Sequence, residues 1–267
     1  MAIIQCEYFS QAMRSFRSFT AVLPVDPPPA EGALPEYSKG PWPALYLLHG
    51  FSGSRNDWLK NTPIESLACR YGLAVIMPDG GNDFYVDQDY RGTYCGRMTG
   101  EELVDVTRKM FSLSGRREDT LIGGLSMGGY GAIRNGLKYR ETFGAVMAFS
   151  SALIQNRYAR GDFRKQTDMG IPYGYYTATF VPEDQMKGSD QDPEALAKAA
   201  MRADAIPELF LACGSEDFLF GSNLEFHNAL QDMGYDHTWW VEKGVHDFDF
   251  WNRAVAAGLE WWRKNKG

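Results

Sequence analysis

The 267-residue chain has the composition of one large globular domain, with 44% hydrophobic and 23% charged residues. Its formal charge of −7 argues against nucleic acid or an anionic membrane as the main partner, and no run of about 18 apolar residues predicts a membrane-spanning helix. The N-terminus turns polar too early for a signal peptide, and the 4 scattered cysteines favour free thiols in the cytoplasm over a disulfide framework.

Strand signals recur along the chain in short runs. Several runs are continuously apolar, which is typical of strands buried on both faces of a sheet. The first two predict a hairpin, because little chain separates them. The predicted strands cover residues 3–10, 14–23, 44–48, 73–77, a short run leading into Ser126, 144–149, 208–213 and 237–241.

Helix signals stand between most of these strands. Capping boxes predict helix starts at Thr62, Thr99 and Ser222. Gly72 and Gly234 stand where the first and last of these helices would end. The other predicted helices cover residues 132–138, a short run after Asp192, and the amphipathic stretch 248–262.

Three stretches do not follow the alternation. Residues 24–43 hold seven prolines and predict a surface loop, and residues 82–98 are polar and aromatic without a clear period. Residues 151–205 are far longer than an ordinary connection between a strand and a helix, so we interpret them as a cap inserted over a site. The pattern predicts an α/β protein with a mainly parallel central sheet, helices on both faces, and one domain over residues 1–267.

The sequence around Ser126 carries the clearest chemical signal. Gly124-Leu125-Ser126-Met127-Gly128 forms G-x-S-x-G, between an apolar run and a helix-compatible segment. This strand–turn–helix setting is the one in which the motif presents a serine nucleophile on a strained turn. Because an unassisted serine hydroxyl is a weak nucleophile, a base and a residue orienting that base must lie elsewhere in the chain.

The base and the acid are sought in the loops that follow later strands. His246 lies in a glycine-containing loop after the last strand, and a histidine can exchange a proton near neutral pH. Asp217 follows the Gly-Ser-Glu turn of the preceding strand and is the candidate that would orient His246. Glu216 is the main rival, followed by two aspartates near the histidine, Asp247 and Asp249.

An oxyanion hole requires two backbone amides. Met127, directly after the serine, supplies one, and the turn after residue 48 supplies the other through Phe51 or its rival Gly50. No cluster of metal ligands and no dinucleotide-binding glycine motif is visible, so the sequence predicts neither a metal nor a cofactor.

With these residues considered together, the chain resembles the putative-esterase family of α/β-hydrolases, which includes tributyrin esterases, S-formylglutathione hydrolases and feruloyl esterases. The resemblance spans nearly the whole chain and implies the α/β-hydrolase fold, the triad Ser126, Asp217 and His246, and the oxyanion donors Phe51 and Met127. It rests on the segments 47–53, 56–58, 77–79, 124–129, 214–218 and 244–251.

The function expected from the resemblance is that of a serine carboxylesterase acting on small short-chain acyl esters through an acyl-enzyme. The alternatives are a feruloyl or acetyl-xylan-type esterase, an S-formylglutathione hydrolase and, more remotely, a binding protein on a hydrolase fold. Candidate substrate-binding residues are Trp58, Arg91 and Tyr94, together with tyrosines of the cap. The sequence leaves homo-oligomerisation open.

Overall fold

The computed structural model describes residues 1–25, 40–164, 170–203 and 205–266. Most of the predicted loop 24–43 therefore lies outside the described residues. The strands of the described part are β1 (Ala2–Ser10), β2 (Ser15–Leu23), β3 (Ala44–Leu48), β4 (Ala74–Pro78), β5 (Asp87–Gln88), β6 (Thr93–Tyr94), β7 (Thr120–Leu125), β8 (Ala145–Phe149), β9 (Glu208–Gly214) and β10 (Thr238–Glu242).

Eight of these strands form one mixed sheet in the order β1-β2-β4-β3-β7-β8-β9-β10, and β5 pairs separately with β6. The pairs β1–β2 and β2–β4 are antiparallel, while every pairing from β4 to β10 is parallel. The predictions of an opening hairpin and a mainly parallel sheet are confirmed. Parallel order places the carboxyl ends of β3, β7, β9 and β10 at one edge of the sheet, where ligands bind in such folds.

Strand β3 shows how the sheet divides the interior into two layers. All five of its residues are buried. Leu45 and Leu47 belong to one apolar core, and Tyr46 and Leu48 belong to the other. Because successive side chains of a strand point to opposite faces, a continuous apolar run is what a strand between two helical layers requires.

The helices cover both faces of the sheet. On one face the last helix packs against β8 and β9 and against the second helix, and on the other face the helix after Ser126 packs against β7 and β8. The helices of the described residues are α1 (Asp57–Asn61), α2 (Ile64–Tyr71), α3 (Cys95–Arg97), α4 (Leu103–Met110), α5 (Met127–Lys138), α6 (Gln155–Ala159), α7 (Tyr173–Thr179), α8 (Glu183–Met186), α9 (Pro193–Ala200), α10 (Phe220–Met233) and α11 (Phe248–Asn265).

The predicted helix ends are confirmed, but the predicted capping boxes are wrong. Gly72 and Gly234 end α2 and α10 in the left-handed conformation, with φ of 61° and 77°. At the three predicted starts, the hydroxyl instead donates to a carbonyl three or four residues earlier, so it satisfies a preceding turn and caps no helix. The hydroxyl of Thr62 donates to Trp58 O, that of Thr99 to Cys95 O and that of Ser222 to Leu219 O.

The segment 151–205, expected to form a cap, contains the short helices α6 to α9. Helix α9 begins after Asp192, as the sequence predicted, and the side chain of Asp192 accepts the amide of Glu194. Asp190 in the same segment pairs with the fully buried guanidinium of Arg134 on α5. Within the described ranges, no helix is both long and apolar enough to cross a lipid bilayer.

Candidate active site

Ser126 occupies a sharp turn between β7 and α5. Its backbone has φ 54° and ψ −118°, a conformation that a residue with a side chain rarely adopts. The sheet holds the turn in place, because the amide of Ser126 donates to Phe149 O and its carbonyl accepts from the amides of Tyr130 and Ala152. The strain is therefore sustained by surrounding backbone, as expected for a nucleophile elbow.

Two glycines make this turn sterically possible. A Cβ atom on Gly124 would lie 2.4 Å from the carbonyl oxygen of Gly128, and one on Gly128 would lie 2.6 Å from the carbonyl oxygens of Leu48 and His49. The obstructing atoms are backbone and cannot swing aside. Glycine at both positions therefore lets α5 start directly against the end of β3.

The side chains of Ser126, His246 and Asp217 form one hydrogen-bonded chain. His246 Nδ1 lies 2.9 Å from Asp217 Oδ2, and His246 Nε2 lies 3.0 Å from Ser126 Oγ. Because a carboxylate only accepts, Nδ1 carries the proton and donates to Asp217. Nε2 is then the acceptor for the hydroxyl of Ser126, which is the arrangement required to remove the serine proton.

The environment of Asp217 favours its ionised form. Burial opposes the negative charge, but hydrogen bonds from His246 and from the amide of Leu219 outweigh it and lower the pKa of the carboxyl. The side chain of Asp217 is fully buried, whereas that of His246 is 16% exposed. The carboxylate is thus shielded from water, while the imidazole stays open to an incoming molecule.

Backbone hydrogen bonds bring the acid and base loops together. The amide of Ser215 donates to Glu242 O, and that of Glu216 donates to Gly244 O. The side chain of Glu216 itself points outward and lies 3.8 Å from Lys243. Asp247 instead accepts the amide of Phe250 and caps α11. Of these three carboxylates, Asp217 is thus the one whose side chain contacts His246, while Glu216 and Asp247 make other contacts.

The predicted oxyanion loop lies against the elbow. A Cβ on Gly50 would stand 3.5 Å from the Cβ of Ser126, so the turn after β3 adjoins the serine. His49 anchors this turn: its Nδ1 bonds Gly50 O at 2.7 Å and its Nε2 accepts the amide of Gly80 at 3.0 Å. Phe51 follows in the same turn. Met127 is the first residue of α5, where amides lack a partner within the helix.

Aromatic side chains connect the segment 151–205 to this loop. The ring of Tyr175 meets that of Phe51 edge-on with 5.4 Å between centroids. The Tyr175 hydroxyl donates to Asn82 O, and the Asn82 side chain accepts the amide of Ser52. A residue of α7 is thereby fixed to the turn that carries one predicted oxyanion donor.

The three predicted substrate-binding residues lie in different surroundings. The prediction for Trp58 is corrected by its burial. Trp58 is 1% exposed, donates from Nε1 to Leu48 O and packs against rings in the core. It therefore supports the site without reaching a substrate. Arg91 is half-exposed and lies 3.6 Å from Asp83. Tyr94 packs against the larger core. For Arg91 and Tyr94, substrate contact stays a prediction.

The remaining histidines are occupied elsewhere. His227 Nδ1 and His237 Nε2 lie 2.7 Å apart, and the His227 ring stacks on Trp239. Burial and the neighbouring His237 lower the pKa of His227. Within the described ranges, no group of three or more histidine, cysteine, aspartate or glutamate side chains is arranged to hold a metal ion.

Comparison with known proteins identifies the family of the chain. The family model described as "putative esterase" matches residues 28–261. The chain belongs to this family of α/β-hydrolases. An acetyl esterase of Caldicellulosiruptor saccharolyticus is 40% identical over 265 residues, which cover 99% of each chain. The protein is therefore a carboxylic ester hydrolase.

Solved structures agree with this fold. The esterase superposes on the substrate-bound fluorophosphonate-binding serine hydrolase F of Staphylococcus aureus with a TM-score of 0.81 and 28% identity, covering 98% of both chains. It superposes on an S-formylglutathione hydrolase of the same organism with a TM-score of 0.78 and 27% identity, again over 98% of both chains. The predictions of the family and of the α/β-hydrolase fold are confirmed.

Sequence reasoning did not single out several residues that surround His246 and the predicted oxyanion turn. Phe218 and Trp251 contact the His246 ring, and Asn82 joins Ser52 to Tyr175. The position of Phe218 next to Asp217 was an available signal. Asn82 offered none, because its role depends on contacts with two distant segments, the turn at Ser52 and helix α7.

Proposed function

We propose that this esterase is a serine carboxylesterase for short-chain acyl esters. Ser126 attacks the ester carbonyl while His246 takes its proton, and Asp217 holds the imidazole and stabilises its charge. The amides of Met127 and Phe51 bind the oxyanion. His246 then returns the proton to the leaving alcohol, and water releases the acid by the same steps in reverse.

The observation that carries this proposal is the unbroken hydrogen-bonded chain from Ser126 through His246 to Asp217, with separations of 3.0 and 2.9 Å. Its buried carboxylate, accessible imidazole and strained serine match the demands of acyl transfer. Preference for short acyl groups is supported by the acetyl esterase that is 40% identical over nearly the whole chain. The expected cytoplasmic location stays a prediction.

The test compares wild type with Ser126→Ala on p-nitrophenyl acetate, butyrate and octanoate. Removing the nucleophile of a triad hydrolase lowers kcat by about 10⁶-fold, so the variant should retain only a trace of activity. Ser66→Ala on α2 is the matched control and should keep the wild-type rate. A fluorophosphonate probe should label wild type and not Ser126→Ala. Equal hydrolysis by the two proteins would refute the assignment.

A second candidate is S-formylglutathione hydrolysis, favoured by the full-length superposition on an S-formylglutathione hydrolase. The same serine would attack a thioester, so the Ser126→Ala result does not separate the two. The comparison of kcat/KM for S-formylglutathione, methyl ferulate and p-nitrophenyl acetate does. If kcat/KM were much larger for S-formylglutathione than for p-nitrophenyl acetate, the substrate class would be thioesters and not short-chain esters.

A further inference from the structure

The His246 ring is flanked by two aromatic side chains in contrasting environments. Trp251 meets it edge-on with centroids 4.9 Å apart and is 6% exposed. Phe218 lies 4.6 Å away at an interplanar angle of 54° and is 57% exposed. Trp251 therefore supports the imidazole from the core, whereas most of the Phe218 ring faces the space outside.

The loop that carries His246 also presents an exposed apolar side chain. Val245, directly before His246, is 44% exposed. The hydrogen bond from the amide of Glu216 to Gly244 O holds the two loops side by side. Among the described residues, few large hydrophobic side chains are this exposed. One of them, Phe218, directly follows Asp217, and another, Val245, directly precedes His246. Apolar side chains beside a reactive group are placed to contact a bound molecule, because ligand sites are lined mainly by hydrophobic and aromatic side chains.

The chemistry of acylation specifies what this surface would contact. Ser126 Oγ forms a bond to the acyl carbon, and its proton passes to His246 Nε2. The bond from the acyl carbon to the ester oxygen then breaks, and Nε2 protonates that oxygen as the alcohol departs. The leaving oxygen must therefore lie within hydrogen-bond reach of Nε2, and the rest of the alcohol extends from beside the imidazole.

We propose that Phe218 and Val245 form a subsite for the leaving alcohol, selecting alcohols with a flat apolar face. Aryl rings and the C–H face of a pyranose both offer such a face to an exposed aromatic ring. The inference rests on the proposed function, because it requires Ser126 and His246 to act as nucleophile and acid. It adds the alcohol side of the substrate, which the triad does not specify.

The timing of the reaction separates this role from a role in positioning His246. The alcohol has left before the acyl-enzyme is hydrolysed, so a leaving-group residue affects acylation and not deacylation. A residue that only positions the imidazole affects both steps, because His246 serves in each. The value of kcat/KM reports acylation, and the decay of acetyl-enzyme after rapid mixing reports deacylation.

The experiment uses three acetate esters, namely 1-naphthyl acetate, an acetylated methyl xyloside and ethyl acetate, with wild type and Phe218→Ala. We expect kcat/KM to fall about tenfold for an ester whose alcohol is flat and less than twofold for ethyl acetate, with acetyl-enzyme decay unchanged. A loss confined to the naphthyl ester identifies an aryl alcohol, and one confined to the xyloside identifies a sugar; both support the subsite.

Phe16→Ala is the control, because Phe16 is 66% exposed on β2, away from the loops of Asp217 and His246. Phe218→Leu keeps apolar bulk without a flat face and serves if the alanine variant folds poorly; its circular dichroism must match wild type. Equal losses on all three esters, slower acetyl-enzyme decay, or unchanged kcat/KM would each overturn the subsite. Failure of wild type to hydrolyse any of the three esters would overturn the proposed function instead.

Discussion

The strand-end loops and the segment 151–205 meet at the same site but are held in different ways. The loops of Ser126, Asp217 and His246 are fixed by backbone hydrogen bonds to the sheet and to each other. Beyond the backbone bond from the amide of Ala152 to Ser126 O, side chains join the segment to the predicted oxyanion turn, through the ring of Tyr175, and to α5, through Arg134 and Asp190.

The contrast shows how one fold combines fixed chemistry with variable recognition. Backbone bonds do not depend on side-chain identity, so the relay geometry persists when neighbouring side chains change. Contacts made by rings and ion pairs alter with each substitution. We therefore expect changes to the three hydrogen-bonded side chains Ser126, His246 and Asp217 to abolish the reaction, and changes in the segment to redirect or loosen it.

Among the changes that test this comparison, the largest effect should follow Asp217→Asn. An amide can donate to Nδ1 and stabilise the wrong tautomer of His246, which then cannot accept the serine proton. In another triad hydrolase this change costs about 10⁴ in kcat, and we expect a similar loss in hydrolysis of p-nitrophenyl acetate. Glu216→Gln is the matched control and should stay near wild type. A loss below tenfold for Asp217→Asn would mean that another carboxylate orients the base.

Gly128→Ala should damage stability as well as activity. Its Cβ would lie 2.6 Å from two backbone oxygens, so α5 or the end of β3 must move. Such overpacking costs about 3 kcal/mol in the free energy of unfolding, measured by urea denaturation. In the control Gly221→Ala, on α10, the new Cβ meets no atom within 4 Å, so stability should hold or rise. Equal stability of the two variants would contradict the close packing of the elbow.

Tyr175→Ala should alter acyl preference and leave the relay intact. Removing the ring frees the side of Phe51 and breaks the bond to Asn82 O. We expect kcat/KM for p-nitrophenyl octanoate to rise relative to acetate by about tenfold. Tyr90→Ala, which also removes a hydroxyl bond to the segment, at Ala178 O, is the control. An unchanged ratio in Tyr175→Ala would show that this ring does not limit the acyl group.

The smallest effect should come from Asp190→Asn. Burial opposes ionisation of Asp190, but the charges of Arg134 and Lys138 lower its pKa. A lowered pKa stabilises the fold above the pKa of an unfolded aspartate, and the contribution disappears as pH falls through the folded value. We expect a loss of about 1 kcal/mol at pH 7, because the Asp190 side chain is partly exposed.

The difference in free energy of unfolding between wild type and Asp190→Asn, measured by urea titration, should shrink at acidic pH. Asp105→Asn, at an exposed aspartate on α4, is the matched control for replacing a carboxylate with an amide. If the stability loss of Asp190→Asn grew as the pH fell, its pH dependence would have the opposite sign to the one expected. The ion pair of Asp190 would then not be its cause.

Much of the site could be predicted because its signals are local. The G-x-S-x-G sequence specifies a turn that only glycines can close, and strands of continuous apolar character must lie inside a parallel sheet. Residues at the ends of such strands share one edge, which is why Asp217 and His246 were found. The capping boxes failed because a hydroxyl can equally donate to the turn behind it, and local sequence does not decide between the two.

The sequence by itself determined the fold class and the loops that meet, since periodicity and glycine placement constrain backbone over short distances. The family followed from the resemblance of six short segments to known esterases. Only the tertiary structure decided which side chains surround the reacting atoms. Trp58 is buried because Phe149 and Phe248 close over it from distant segments. Phe218 is 57% exposed because none of the described segments packs over its outer face. Burial is a property of all neighbours together, and a side chain's neighbours come from parts of the chain that local patterns do not relate.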